Sequence, residues 1–151
     1  MTNEELKIKI SEIIPSASYD ETGEFIQVLI NASEQPVLLN ALKNNKELDF
    51  DYLFCETCVD WKTHLILSYH LRSYKHQHCV VVKAKIDDIT HPQIETANHL
   101  WKTAELNEDE IFDLFGVKFL NHPNLRRLFL DENWPGFPLR KNYTDENMIK
   151  L

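Results

Sequence analysis

The apolar positions of this chain switch between a helical period and an alternating one. Leu6, Ile10 and Ile13 recur at helical spacing and Pro15 stops the run, which predicts an amphipathic helix over residues 3–14. Residues 16–19 and 25–30 predict two strands around a turn containing Thr22 and Gly23. A second helix is predicted over 36–44, with Pro36 in the first turn, where a missing N–H is tolerated. Residues 51–61 predict a strand. In 64–71, Leu65, Leu67, Tyr69 and Leu71 share one face; in 77–86, His78, Val80, Val82, Ala84 and Ile86 do so. The polar stretch 72–76 connects them. Period-two alternation is what a half-buried antiparallel pair requires. The order α-β-β-α-β-β-β implies an α+β fold: a two-layer domain over residues 1–90, its mixed or antiparallel sheet carrying helices on one face. His91-Pro92 marks its exit.

Residues 91–151 are expected to form a C-terminal docking region. Asn107 precedes Glu108-Asp109-Glu110, a capping-box pattern, and Ile111, Phe112 and Phe115 then share a helical face that Gly116 ends. This predicts a short helix over 108–115, one that must dock to be stable. An extended arm comes next. Two of the three glycines (Gly116, Gly136) and three of the six prolines (Pro123, Pro135, Pro138) fall between Trp101 and Tyr143. Glycine permits unusual backbone angles and proline locks φ, so the arm is pre-shaped with few ways to bury itself.

Charge sharpens the contrast. The 151 residues carry a net charge of −8, which argues against a general nucleic-acid binder. Yet residues 116–144 hold five basic against two acidic side chains, and residues 105–113 hold five carboxylates and no base. An acidic helix followed by a basic arm either pairs internally or presents two surfaces to different partners. No run approaches about 18 apolar residues, so no membrane span is expected. MTNEELKIKI has mixed charge and no apolar core, so no secretory signal is expected.

Catalytic constellations are hard to find. Cys55-x-x-Cys58 lies in a predicted strand, where residues three apart point to opposite faces, and no second such pair exists. With Cys79, His76 and His78 it suggests a Cys/His metal-binding protein only if the fold gathers them; inert thiols are the expected reading. His64, His70, His91 and His99 read as surface or strand histidines. No phosphate-binding glycine loop and no nucleophile–histidine arrangement occurs. Glu108 and Glu110, two apart on a helix, do not face each other for acid–base work. The arm is more specific. Arg126-Arg127 and Arg140-Lys141 are adjacent cation pairs, interleaved with Phe129, Trp134 and Phe137. Arginine forks suit carboxylates, and aromatics with arginine compose interface hot spots. His122-Pro123 opens this arm. These residues are expected to meet a partner polypeptide.

Ala104, Glu108, Glu110, Asp113, Phe115, Gly116 and Val117 stand in the order of one known signature. Phe119, His122, Pro123, Leu125, Arg126 and Arg127 continue it, and Gly136, Pro138, Leu139, Arg140 and Lys141 close it. Over about forty residues, in order and spacing, this resembles the C subunit of NADH-quinone oxidoreductase, respiratory complex I. The chain departs from the family pattern at Leu106, Asp109, Asn121, Asn124, Phe137 and Asn142, of which Asn121 stands for a glycine and Phe137 for a histidine. The resemblance implies a non-redox scaffold subunit of the peripheral arm, packed against the homologue of the D subunit and its neighbours. It implies no catalysis by the isolated chain and no cofactor of its own, the complex using FMN and iron–sulfur clusters on other subunits to carry electrons from NADH to quinone. It also implies a peripheral location on the cytoplasmic side of the bacterial inner membrane, in contact with the membrane only through the complex. The residues expected to bind a partner are Glu108, Glu110, Asp113, His122, Pro123, Arg126, Arg127, Trp134, Phe137, Arg140 and Lys141. An equivalent subunit of a related membrane-bound hydrogenase or ferredoxin-dependent complex is the alternative.

Overall fold

A computed structural model describes residues 1–149. Helix α1 (Asn3–Ile13) opens with a capping box: the Thr2 hydroxyl accepts the Glu5 N–H at 3.2 Å, and the Glu5 carboxylate accepts the Thr2 N–H at 2.8 Å. Strands β1 (Ser18–Asp20) and β2 (Ile26–Asn31) lead through one 3-10 turn into helix α2 (Gln35–Asn44), with Pro36 in its first turn as expected. Strands β3 (Tyr52–Asp60), β4 (Leu65–Ser73) and β5 (His78–Ile86) complete a five-stranded sheet. Its spatial order is β1-β2-β5-β4-β3, with β2 parallel to β5 and every other pair antiparallel. The fold is thus α+β with a mixed sheet.

The period-two reading locates the core. Leu65, Leu67, Tyr69 and Leu71 of β4 are fully buried, and Val80, Val82 and Ala84 of β5 meet them across the ladder. Val28, Leu38, Leu39, Leu42, Leu6 and Ile10 fill the space between this face and α1 and α2. Each such side chain contributes about 1.5–3 kcal/mol by leaving water.

Beyond Pro92 the chain stays on this core. Strand β6 (Gln93–Glu95) pairs in parallel with β7 (Lys118–Leu120), and helix α3 (Ala104–Phe115) between them lies against β3. Ile94, Ala97, Trp101, Ala104, Ile111, Val117 and Phe119 belong to the same buried cluster as the inner face of the sheet. After Leu120 no further helix or strand forms among the described residues.

The helix predicted over 108–115 starts earlier, at Ala104. The Trp101 indole N–H donates to the Phe50 carbonyl at 3.1 Å, and the Ala104 and Glu105 N–H groups bond back to Trp101 and Lys102. That docked turn winds the chain into α3 before Asn107 is reached. Thr103 holds the N-cap position without capping; its hydroxyl donates to the Leu53 carbonyl at 3.0 Å. Asn107 therefore lies inside the helix. The C-terminal stop is as expected, with Gly116 left-handed at φ 75° and its N–H bonded to the Phe112 carbonyl.

Candidate partner-docking site

Three carboxylates of α3 turn inward and organise the arm beyond it. Glu108, Asp109 and Asp113 are all but fully buried, whereas Glu110 faces solvent. Glu108 accepts the Thr96 hydroxyl and, at 2.6 Å, the Ala97 N–H, clamping the segment after β6. Burial pushes its carboxyl up to about 7 against these two bonds, which favour the anion. Asp109 accepts the Arg126 N–H at 3.2 Å. Asp113 does most: one oxygen accepts the N–H groups of Leu128, Phe129 and Leu130 at 3.2, 2.7 and 3.1 Å, and the other meets Arg127 Nη1 at 3.2 Å. Burial alone would raise this carboxyl, but three backbone donors and a guanidinium outweigh it and hold it below the ordinary value. Successive N–H groups converging on one oxygen set the bend of the arm.

Arg127 carries the fixation further. Its other amino group donates to the carbonyls of Trp134 and Gly136 at 2.9 and 3.1 Å, and its guanidinium lies 4.9 Å from the Phe137 ring centre. Phe137 in turn sits over Gly116, where an added Cβ would fall 2.5 Å from the ring. Arg140 then joins three segments, donating to Asp60 at the end of β3 (3.1 Å), to the Phe115 carbonyl (3.3 Å) and to the Ile89 carbonyl (2.7 Å). Asp60 also accepts the N–H groups of Lys141 and Lys62. Burial raises the Asp60 carboxyl, yet these donors and Arg140 together hold it below its usual range. His122 accepts the Asn124 N–H on Nδ1 and donates from Nε2 to the Glu105 carbonyl at 3.1 Å; Asn121 beside it is left-handed at φ 63°, which suits the glycine of the family pattern and which asparagine tolerates.

The acidic helix and basic arm thus pair internally. Of the residues expected to meet a partner, Glu108, Asp113, His122, Arg127 and Arg140 have bonding partners within the chain. These polar groups fix the shape of the arm, and several large apolar side chains stay at its surface among polar ones. Phe129, Leu139, Leu106 and Trp134 are exposed by 67, 51, 58 and 36%. Arg126 keeps 60% of its side chain in water, and Glu110, Pro123 and Lys141 are exposed as well. Between the arm and residues 89–92 lies a groove of about 460 Å³ lined by Pro92, Phe137, Arg140 and Tyr143. Asp60, Asp109 and Leu139 lie outside the set expected from the sequence, whereas Phe129 is among the arm's aromatic anchors. Phe129 stands between the cation pairs as an apolar ring, a signal that marks it; Asp60 and Asp109 act through tertiary contacts that leave no local signal.

The thiols do not converge. Cys55 pairs with His70 on one sheet face and Cys58 with Leu67 on the other, and burial pushes the Cys58 thiol up to about 12. Among the described residues no group of three or more His, Cys, Asp or Glu is placed to hold a metal ion, and no helix is long and apolar enough to cross a membrane.

The likeness of this chain to known proteins is specific. The profile of the family described as the respiratory-chain NADH dehydrogenase 30 Kd subunit matches residues 28–147. The NADH-quinone oxidoreductase C subunit of Citrifermentans bemidjiense is 32% identical over 146 residues, covering 93% of this chain and 89% of the relative. The C/D subunit of the same enzyme from Phocaeicola vulgatus is 38% identical over 111 residues, 73% of this chain but 21% of the relative, so the chain spans about a fifth of such proteins. Among solved structures, a chain of the membrane-bound sulfane sulfur reductase, an archaeal respiratory membrane complex, superposes with a TM-score of 0.77 at 25% identity, over 93% of this chain and 85% of that one. The match of that profile across the sheet, α3 and the arm, with a relative aligned along nearly its full length, makes this chain a member of the C-subunit (30 Kd) family of NADH-quinone oxidoreductase.

Proposed function

We propose that this chain is a non-redox scaffold subunit of the peripheral arm of a proton-translocating NADH-quinone oxidoreductase. Its docking partner is the homologue of the D subunit. The observation that carries the reading is the set of C/D relatives, whose names place both subunits in one polypeptide and part of which aligns with this chain. The arm supports it physically. A strap pinned internally through Arg127 and Arg140 while Phe129, Trp134 and Leu139 face outward is held in shape before binding and loses little backbone freedom on docking. Arg126, Lys141, Glu110 and Pro123 form the polar fringe of that surface, and Phe137, with its buried neighbours, shapes it from beneath. The chain binds no cofactor of its own in this reading; FMN and iron–sulfur clusters belong to other subunits. Its site is the cytoplasmic side of the bacterial inner membrane, held there through the complex.

The test is co-purification of the D-subunit homologue with a tagged chain carrying Phe129→Ala, Trp134→Ala and Leu139→Ala. Recovery is expected to fall by about ten-fold or more, each buried anchor contributing about 2 kcal/mol, while the melting of the isolated chain stays unchanged. Full recovery of the partner would refute the proposal. The structural likeness to the sulfane sulfur reductase chain favours one second reading, an equivalent subunit in a complex with a donor other than NADH. NADH oxidation by the native complex separates the two.

A further inference from the structure

All three helices lie on one side of the sheet, and among the described residues no element covers the other side. The ladders give the positions on that open face. Asn31, Lys85, Ile66 and Val59 form one row across β2, β5, β4 and β3; Leu29, Lys83, Ser68 and Thr57 form the next. Gln27, Val81, His70 and Cys55 form a third, and Cys79, Arg72 and Tyr52 a fourth. The bulge between Leu53 and Cys55 adds Phe54 to this side.

Two properties of this face stand out in a chain of net charge −8. It is aromatic: the rings of Phe25, Phe54, Tyr52 and Tyr74 succeed one another at centroid separations of 6.4, 6.2 and 5.7 Å, and the Arg72 guanidinium lies 5.1 Å from the Tyr74 ring. Tyr52, Phe54, Val59, Tyr74 and Leu29 are exposed by 38–52%. It is also cationic: Arg72, Lys83 and Lys85 occupy outward positions of the four long strands, and no carboxylate does. Asp20 on the edge strand β1, Glu24 before β2, and Asp87, 2.8 Å from Lys85, stand only at the rim. Gln27 Oε1, His70 Nδ1 and Arg72 Nε are shielded from solvent and find no hydrogen-bond partner within the chain.

We infer that the open sheet face is a second docking surface, taken by an acidic polypeptide segment bearing apolar side chains from a neighbouring protein of the assembly. Tyrosine, phenylalanine and arginine are the residue types that anchor interfaces, and a face whose own positions carry cations, with carboxylates at the rim alone, favours an acidic partner. The chain is then held between two neighbours, one on the arm and one on the sheet, which is what a scaffold requires. The inference rests on the reading of this chain as a subunit of a larger complex.

The experiment places a photocrosslinking amino acid at Thr57 on the sheet face and, separately, at Leu139 on the arm, in the native complex. Thr57 is expected to give an adduct with a neighbouring segment rich in Asp and Glu, distinct from the segment captured by Leu139. Lys83→Glu with Lys85→Glu is expected to abolish the Thr57 adduct and spare the Leu139 adduct, with unchanged melting of the isolated chain. An arm adduct with no sheet adduct sinks this inference alone; loss of both sinks the complex reading as well. Binding of a labelled oligouridine that depends on Lys83 and Lys85 would assign the face to RNA and overturn the inference too.

Discussion

Asp113 and Arg127 form the hinge pin of the C-terminal region: a guanidinium nitrogen lies 3.2 Å from a carboxylate oxygen, and each partner uses its remaining capacity on backbone. Asp113 takes three successive N–H groups, and Arg127 gives to carbonyls on both sides of the next turn. The pair converts a proline-rich strap with no helix or strand into a fixed shape. Asp113→Ala leaves the largely covered Arg127 guanidinium without its carboxylate and orphans three N–H groups. Breaking a buried pair costs about 3–5 kcal/mol, and the loss is expected to show as faster tryptic cleavage at Arg126 and Arg127 with the sheet's circular dichroism retained. The depressed carboxyl sets the pH dependence. Its stabilisation is full above the unfolded value near 3.8 and is lost as pH falls through the lower folded one, so arm release by proteolysis should rise only in strong acid. Unaltered cleavage in the Asp113 variant would show that the strap is held by other contacts.

Arg140 and Lys141 are neighbours with opposite duties. Arg140 ties β3, the end of α3 and the loop at Ile89, while the Lys141 side chain is in water and only its N–H reaches Asp60. Arg140→Lys replaces a five-donor fork with a point charge that reaches one of the three sites. A loss of about 1–3 kcal/mol in urea denaturation is expected, against less than about 0.5 kcal/mol for Lys141→Ala at an exposed position. Equal effects of the two substitutions would contradict this division.

The inner face of the sheet was legible because Leu65, Leu67, Tyr69 and Leu71 alternate strictly, and a one-residue slip would expose them all. The turn at Gly116 was legible because a left-handed residue is chemically marked. Strands β6 and β7 were not, since three residues carry too little alternation to register. The start of α3 escaped for a different reason: it is decided by Trp101 reaching the Phe50 carbonyl, 51 residues away. The arm cations show the deepest limit. Their chemistry asks for carboxylates, but whether those belong to a partner or to Asp60, 80 residues back, is a property of the fold.

Glu56 is buried opposite Tyr69 with neither carboxylate oxygen bonded. Burial, and then the nearby Glu108, push its carboxyl well above the ordinary 4.5. Above that value the unfolded chain releases the proton while the folded chain keeps it, so stability declines as pH rises until the folded group ionises too. Glu56→Gln removes that loss while keeping the shape. The variant is expected to melt higher than the native chain near pH 8, with the difference shrinking toward zero near pH 4. A pH-independent difference would mean that Glu56 is not held protonated by its surroundings.

Gly116 and Phe137 make the last case, because two separate costs meet at one atom. A Cβ at residue 116 would sit in left-handed backbone at φ 75° and 2.5 Å from the Phe137 ring. The backbone term alone is about 1 kcal/mol. The clash adds to it, since the ring is held between Arg127 at 4.9 Å and Phe112 at 6.2 Å and has little room to retreat. Gly116→Ala is therefore expected to destabilise the chain by about 2–4 kcal/mol, measured by urea denaturation. Phe137→Ala removes the clash and leaves the backbone strain. In the double variant the cost of the alanine at 116 should fall to about the backbone value of 1 kcal/mol. Strict additivity of the two changes would place the ring away from Gly116 and break the link between the helix stop and the arm.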